Sequence, residues 1–177
     1  ALGYASHAEG INTIVPASVS GSTASGYYAT PKRSFEWSRA DNGLYAQYGT
    51  VSLTGRTVST SSLELTISGR SGSIQDYFNI PNNTSYFVEA SVHAARLTIS
   101  SSETRAWTGR GIIKNVAAGT SLENTFTMTA VGSGGYSGSV AITADAINNR
   151  LAVTVTPVAT ETVTWIAQLR YLEISNL

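Results

Sequence analysis

The sequence lacks cysteine, and this absence removes several kinds of chemistry. None of the 177 residues is Cys, so the chain forms no disulfide, no thiolate metal site and no Cys nucleophile. No apolar run approaches the ~20 residues that cross a bilayer as a helix. The G-x-S-x-G, H-E-x-x-H and Walker motifs are missing as well. We therefore predict a chain that is not an enzyme, with no catalytic residues and no cofactor.

Charge is also scarce, and the two signs cancel. Charged residues make up 12% of the chain, with 11 basic and 11 acidic side chains, whereas about a quarter is usual. The surface must therefore be covered by Ser, Thr, Asn and Gly. A net charge of zero gives no electrostatic reason to expect nucleic acid or membrane as a partner. This composition is typical of an exposed β-protein.

Histidine and acidic residues are the remaining candidates for a metal or catalytic site. His7 and His93 are far apart and have no third ligand at a suitable spacing, so we predict no metal site. The alternative is a threefold axis that brings three copies of His7 together around a metal or anion. Glycosidases need two carboxyl groups in one cleft. Glu64 and Glu89 are predicted to lie on polar strand faces as solvated carboxylates, although folding or trimerisation remains a route to a pair.

Alternating apolar residues predict strands over most of the chain. In one example, Tyr86, Val88, Ala90, Val92 and Ala94 form one face and leave Glu89, Ser91 and His93 on the other. Asn148 and Asn149 separate two further alternating runs and favour a tight turn with positive φ. About eight such strands with polar turns predict an all-β fold, with a jelly-roll-like antiparallel β-sandwich over residues 48–177.

A short repeat opens the chain. Ser6-His7-Ala8-Glu9-Gly10 and Ser22-Thr23-Ala24-Ser25-Gly26 share the form S-x-A-x-G, 16 residues apart. A repeat of small residues indicates a narrow solenoid, and a single coil cannot bury a core alone. We predict a β-roll stalk end over residues 1–30, followed by a connector over residues 31–47. A short helix is expected within the connector, near Ser34–Arg39.

These motifs resemble proteins of known families. The S-x-A-x-G spacing resembles the head repeats of trimeric autotransporter adhesins. The sequence SHAEGINT resembles the repeats of bacteriophage tail fibres even more closely. The string Phe35-Glu36-Trp37-Ser38-Arg39-Ala40-Asp41-Asn42-Gly43 and the ending Val163-Thr164-Trp165-Ile166-Ala167 resemble C-terminal domains of phage tail fibre proteins. The resemblance implies a left-handed β-roll and a homotrimeric, virion-borne fibre tip. Its partner would be a bacterial cell-surface receptor, either a glycan or an outer-surface protein, with no nucleic acid and no membrane insertion.

Aromatic side chains are the best candidates for ligand contacts, because their apolar faces stack on sugar rings. Tyr136 is flanked by four glycines in a loop and is the first candidate; Trp107, on a polar strand, is the second. The alternative for each is a place in the core. Trp37, Tyr45 and Tyr48 are expected at a packing seam or subunit interface.

Three functions remain open from the sequence. The leading hypothesis is a trimeric receptor-binding domain at the tip of a phage tail fibre, located in the virion. The second is a module of a polysaccharide-degrading tailspike, and the third is a purely structural trimerisation cap. Because the first residue is Ala rather than Met, we expect the chain to be a fragment, a cleaved product or a truncated form of a longer protein.

Overall fold

The computed structural model describes residues 2–40, 46–69, 76–97, 102–116, 119–132, 136–158 and 161–175. These residues form thirteen strands and no α-helix, so the all-β prediction is confirmed. None of the described segments forms a helix that could span a membrane. The strands are β1 (His7–Ile11), β2 (Thr23–Tyr27), β3 (Trp37–Ala40), β4 (Ala46–Thr57), β5 (Leu63–Glu64), β6 (Phe78–Asn79), β7 (Thr84–Leu97), β8 (Ser102–Val116), β9 (Gly119–Leu122), β10 (Thr129–Val131), β11 (Ser139–Asp145), β12 (Arg150–Thr156) and β13 (Val163–Ser175).

The larger of the two sheets is mixed. Its order is β1-β2-β3-β4-β13-β7-β8-β10, and β9 also pairs with β8. The pairs β1–β2 and β2–β3 are parallel, whereas every pair from β3–β4 onward is antiparallel. The expectation of an antiparallel sandwich therefore holds for the later strands, and the parallel strands extend the same sheet at one edge.

The smaller sheet covers one face of the large sheet. Its strands β11, β12 and β5 are hydrogen-bonded in that order, and β6 also pairs with β12. Side chains from both sheets meet in one core, which includes Trp165, Leu169 and Val92 from the large sheet and Leu151 and Val153 from the small one. Burial of these apolar groups is the main stabilising contribution.

The predicted turn between β11 and β12 is confirmed. Asn149 has φ 52°, which is the left-handed conformation that asparagine tolerates. The backbone N–H groups of Ile147 and Asn148 both donate to Asp145 Oδ1 at 3.1 Å. The side chain of Asp145 thus stabilises the turn that contains Asn148 and Asn149.

The opening repeat forms stacked parallel coils. His7 pairs with Thr23 and Gly10 with Gly26, and Ser22 N donates to Ser6 Oγ at 3.2 Å. Gly10 and Gly26 have φ of 121° and 98°, and a Cβ on Gly26 would stand 2.1 Å from the carbonyl oxygen of Ala40. Each glycine is therefore required both by its backbone conformation and by the close approach of the next coil.

A third coil lies where the sequence predicted a short helix, so that prediction is wrong. Strand β3 pairs in parallel with β2, with Thr23 opposite Trp37, a spacing of 14 residues. Phe35 N donates to Ser20 O at 2.8 Å, and Thr23 N donates to Glu36 O at 3.0 Å. Hydrogen bonds to the preceding coil thus replace those that a helix would make within itself.

Strand β3 also connects the three stacked coils of β1, β2 and β3, which we call the roll, to the sandwich. On its other side it pairs antiparallel with β4, with Trp37 opposite Thr50. The roll has its own small core, made of Val15, Val19, Ala24, Ala29 and Ala40. Two cores of different size therefore lie along one continuous sheet.

Candidate functional site

The large sheet has one face in the core and one face in solvent. Along β13, buried and exposed residues alternate without interruption from Val163 to Ile174. The strands β4, β7 and β8 show the same period of two, because successive side chains of a strand point to opposite faces. We call the solvent side of these four strands the outer face.

Strand register places three charged side chains in one row across the outer face. Arg170 on β13 is directly opposite Glu89 on β7, and Glu89 is directly opposite Arg110 on β8. All three side chains are exposed. Although opposite charges face each other, these three residues form no ion pair within 4 Å in the described part of the chain. Both guanidinium groups therefore remain available to an external anion.

The neighbouring row carries hydroxyl and amide groups. Gln168 lies opposite Ser52 and Ser91, Ser91 lies opposite Thr108, and Thr108 lies opposite Thr129. Hydroxyls both donate and accept hydrogen bonds, so this row is suited to a ligand that is itself rich in hydroxyls.

The charged row and the Ser91, Thr108 and Thr129 part of the neighbouring row form the floor of an open groove of about 610 Å³. One wall comes from the segment between β9 and β10, where Asn124 Oδ1 accepts a 3.0 Å hydrogen bond from Ile112 N. That bond fixes the wall to β8. The polar side chains that line the groove are Glu89, Ser91, Thr108, Arg110, Asn124, Thr125, Thr127, Thr129 and Arg170.

An aromatic hollow of about 390 Å³ continues from the groove. It shares Glu89 and Arg170 with the groove and adds Trp37, Tyr48 and Phe87. The rings of Trp37 and Tyr48 are 5.6 Å apart at 63°, and Trp37 and Phe87 are each more than a third exposed. Exposed rings beside a polar groove provide stacking surfaces for a ligand with apolar C–H faces. Tyr45, the third aromatic residue of the predicted seam, lies outside the described residues.

Tyr136 does not lie on an accessible surface. Its side chain is buried, and its ring packs edge-on against Trp165 with the centroids 5.6 Å apart. Arg105 donates to the Tyr136 carbonyl at 3.0 Å. A Cβ on Gly138 would stand 2.6 Å from the Tyr136 ring. The glycine therefore makes room for the ring, which corrects the expectation that the glycines leave Tyr136 exposed to ligand.

Trp107 is buried as well. Its ring centroid is 5.8 Å from that of Trp165, because Trp107 falls on the inward parity of β8, whereas Thr108 and Arg110 fall on the outward parity. The structure favours the alternative for Trp107, a place in the core, and the ligand contact stays a prediction. The polar neighbours of Trp107 line the groove, and the tryptophan itself packs in the core.

The two histidines lie apart in the sheet order. His7 is on the edge strand β1 and His93 is on the outer face of β7, with β2, β3, β4 and β13 between these strands. Among the described residues, no three His, Asp or Glu side chains are grouped closely enough to hold a metal ion.

A second polar cluster is buried where the residue 31–40 segment meets the sandwich. The Arg33 guanidinium stacks 3.8 Å over the Phe78 ring and donates to Glu36 Oε2 at 3.2 Å. The other oxygen of Glu36 accepts a hydrogen bond from the Tyr171 hydroxyl. Burial raises the pKa of Glu36 despite the nearby Arg33 charge.

Glu173 belongs to the same cluster but has the opposite pKa shift. Burial acts to raise the pKa of Glu173, yet the Lys32 ammonium and the Tyr86 hydroxyl outweigh it and lower that pKa. Tyr86 donates to Glu173 Oε2 at 2.6 Å, and Gln47 Nε2 donates to the same atom at 3.0 Å. The carboxylate oxygens of Glu36 and Glu173 thus accept their hydrogen bonds from other groups of the protein. We assign this cluster to joining the roll with the sandwich.

Sequence reasoning identified part of the outer face and missed the rest. The alternation in β7 correctly placed Glu89, Ser91 and His93 on a polar face. Arg110 and Arg170 were not found, because the two residues are 60 positions apart in the chain. Only the pairing of β8 and β13 with β7, which puts each arginine directly opposite Glu89, brings them into one row.

No protein-family model matches the chain, and no curated protein matches it. Similar solved structures include three phage tailspikes. The tailspike gp49 of Acinetobacter baumannii bacteriophage Fri1 has a TM-score of 0.40 and 11% identity, over 75% of this chain and 18% of that one. The tailspike of Acinetobacter phage vB_ApiP_P1 has a TM-score of 0.35 and 12% identity, over 73% and 21% of the two chains. The tailspike of Acinetobacter baumannii phage AM24 has a TM-score of 0.36 and 8% identity, over 88% and 33%.

The chain thus spans between 18% and 33% of the lengths of these tailspikes. The tailspike gp49 is described as a capsular polysaccharide depolymerase. The prediction that the chain is not an enzyme is therefore wrong. The finer resemblance to fibre tips with β-roll repeats stays a prediction.

Proposed function

We propose that the chain is the receptor-binding domain of a phage tail protein, carried on the virion and directed at glycans of the bacterial surface. The observation that carries this proposal is the open groove of the outer face, with its row of hydroxyls, its unpaired charges and the aromatic hollow beside it. Sugar-binding sites combine hydrogen-bonding side chains with rings that stack on pyranose faces. The groove and the hollow supply both.

The proposed domain is divided as the sequence indicated, with a β-roll stalk end at residues 1–30, a connector at 31–47 and a sandwich at 48–177. The separate small core supports a boundary between roll and sandwich, and it extends through Ala40 into the connector. The connector contributes β3, Arg33 and Glu36 to the junction.

We further propose that the domain acts as a homotrimer through the roll. Leu2, Tyr4, Ile11 and Ile14 are each more than half exposed on the roll, and β1 is the edge strand of the large sheet, paired only with β2 among the described residues. Exposed apolar groups and free strand edges are typical of surfaces that another chain covers. Three linked sites would then raise avidity by increasing the effective concentration.

Light scattering on the full chain tests the assembly. We expect a trimer at micromolar concentration, and we expect Ile11→Ser with Ile14→Ser to shift the mass toward monomer. Ile147→Ser is the matched control, because Ile147 is 91% exposed on a hairpin of the small sheet. A monomeric wild-type chain would overturn the trimer.

Binding to surface polysaccharide tests the function. We expect the labelled chain to bind encapsulated cells, and we expect enzymatic removal of the capsule to abolish this binding. Binding that survives capsule removal but is lost after protease treatment of the cells would identify a protein receptor and contradict the glycan proposal.

A second candidate function is a module of a polysaccharide-degrading tailspike. Glu89 favours it, since this carboxylate lies in the groove between two arginines. Glycosidases use two carboxyl groups, and a neighbouring copy in the trimer would supply the second. Incubation of the chain with purified capsule should then release reducing ends, and Glu89→Gln should stop that release without unfolding the protein.

A further inference from the structure

We propose that the groove is selective for anionic polysaccharides, with the anionic group of the glycan bound at Arg110 or Arg170. This inference rests on the proposed function, because it names the chemical class of glycan that the groove takes. The anionic group is a carboxylate or a phosphodiester, since a guanidinium matches the paired oxygens of either one.

The charges of the groove floor favour an anionic ligand. Two guanidinium groups and one carboxylate lie in a single row, so the groove is positive by one charge while the whole chain is neutral. Neither arginine forms an ion pair or a hydrogen bond with a described residue. Arginines elsewhere in the described chain, such as Arg33, Arg96 and Arg150, are paired with carboxylates. Arg56 on β4 is unpaired among the described residues as well, but only Arg110 and Arg170 lie together in the groove, where one anion can reach them.

The spacing of the two arginines along the row suits a polysaccharide that crosses the strands. Arg170 and Arg110 lie on strands to either side of β7, so their backbones are two strand spacings apart, about 10 Å. A polysaccharide that crosses the strands meets Arg170, Glu89 and Arg110 in turn. Its path is bounded by the Asn124 wall at one end and opens into the aromatic hollow at the other.

Glu89 sets where the anionic group can bind. A carboxylate accepts hydrogen bonds from sugar hydroxyls and repels a second anion placed directly above it. The anionic group of the ligand is therefore directed to one arginine or the other, with neutral hydroxyls facing Glu89 and the Ser91–Thr108 pair. Such an arrangement discriminates by both charge and position along the glycan.

An array of purified bacterial capsular polysaccharides tests the inference. The array holds neutral polymers, uronate polymers, the same uronate polymers after chemical reduction of their carboxyl groups, and phosphodiester polymers. We expect wild-type chain to bind uronate or phosphodiester polymers at least about tenfold more tightly than neutral ones, as charged hydrogen bonds predict. Carboxyl reduction should remove that advantage, and added salt should weaken the binding of anionic polymers. The uronate and phosphodiester arms tell which anion is bound.

Variants separate a specific site from general attraction. Loss of the guanidinium that holds the anionic group, in Arg110→Gln or in Arg170→Gln, should weaken binding to anionic polymers about tenfold, whereas Glu89→Gln should strengthen it. Arg56→Gln is the matched control: it removes the same charge from the outer face of β4, opposite Thr164 and six residues along β13 from Arg170. Thermal melting verifies that each variant is folded, as expected for exposed side chains.

The outcomes distinguish the inference from the function on which it rests. Equal binding of a uronate polymer and its reduced form, with Arg110→Gln and Arg170→Gln unchanged, would overturn the charge selectivity and leave glycan binding standing. An equal loss in Arg56→Gln would also overturn it, because the attraction would then be general. Failure to bind any polymer would overturn both proposals.

Discussion

The roll and the sandwich are stabilised in different ways, although they share one sheet. The roll buries five small side chains, Val15, Val19, Ala24, Ala29 and Ala40, whereas the sandwich buries large ones such as Trp165, Tyr86 and Phe78. Apolar burial contributes in proportion to area. The roll therefore gains little from its own core and depends on stacked backbones and on its junction with the sandwich. We therefore expect the roll to be the less stable part of the chain, and substitutions should show this difference.

Arg33→Met at the junction should have the largest effect. It leaves Glu36 buried without its cation, and breaking a buried ion pair costs about 3–5 kcal/mol. Urea unfolding should show this loss, and hydrogen exchange should show it first in the amides of the roll. The double variant Arg33→Met with Glu36→Gln should recover much of the stability, because the stranded charge is gone. A single variant as stable as the wild type would contradict the assigned role of the junction.

Gly26→Ala in the roll should have an intermediate effect. The new Cβ meets the Ala40 carbonyl oxygen at 2.1 Å with φ at 98°. Gly119→Ala is the matched control, since Gly119 has φ 96° and open space around its Cβ position. Overpacking should cost Gly26→Ala about 1–3 kcal/mol more than the control, measured by the free energy of unfolding. Equal losses in the two variants would show that backbone conformation alone is responsible.

The pH dependence of the junction should give the smallest effect, and its two carboxylates should differ in sign. The lowered pKa of Glu173 stabilises the fold above the ordinary value of 4.5, and this contribution is lost as the pH falls through the lowered pKa. The raised pKa of Glu36 stabilises the fold below 4.5, and that contribution is lost as the pH rises through the raised pKa. The stability advantage of wild type over Glu173→Gln should therefore shrink on acidification.

Glu36→Gln should behave in the opposite way. Its stability relative to wild type should increase as the pH rises above 4.5. Melting temperatures of wild type and both variants, compared across about pH 3 to 8, would test the pair. Parallel curves for the two variants would show that the junction does not distinguish its carboxylates.

Local patterns in the sequence predicted the strands and the first two coils. The period of two in β7 and β13 is fixed by strand geometry, so Val88 and Trp165 face the core and Glu89 faces solvent whatever the topology. The glycines of the S-x-A-x-G repeat are readable because the close approach of each coil admits only Gly. The third coil was missed because Glu36, Ser38 and Ala40 stand where the repeat has Ser, Ala and Gly.

The candidate site required the tertiary structure for a physical reason. The glycines near Tyr136 in the sequence suggest that its side chain is exposed in a flexible loop. In the structure the ring is buried, because it packs against Trp165 and because Gly138 leaves space for it. Arg110 and Arg170 carry no local signal at all. Their row with Glu89 exists only because β8 and β13 both pair with β7.

The all-β class, the stacked opening coils and the parity of each long strand can be read from the chain alone, because they follow from contacts within a few residues or between repeated segments. Which strands are neighbours becomes clear only in the folded molecule. Pairing between distant segments depends on the packing of the whole core. That pairing placed two arginines beside one glutamate in the groove, and it joined Arg33 and Glu36 to the end of β13.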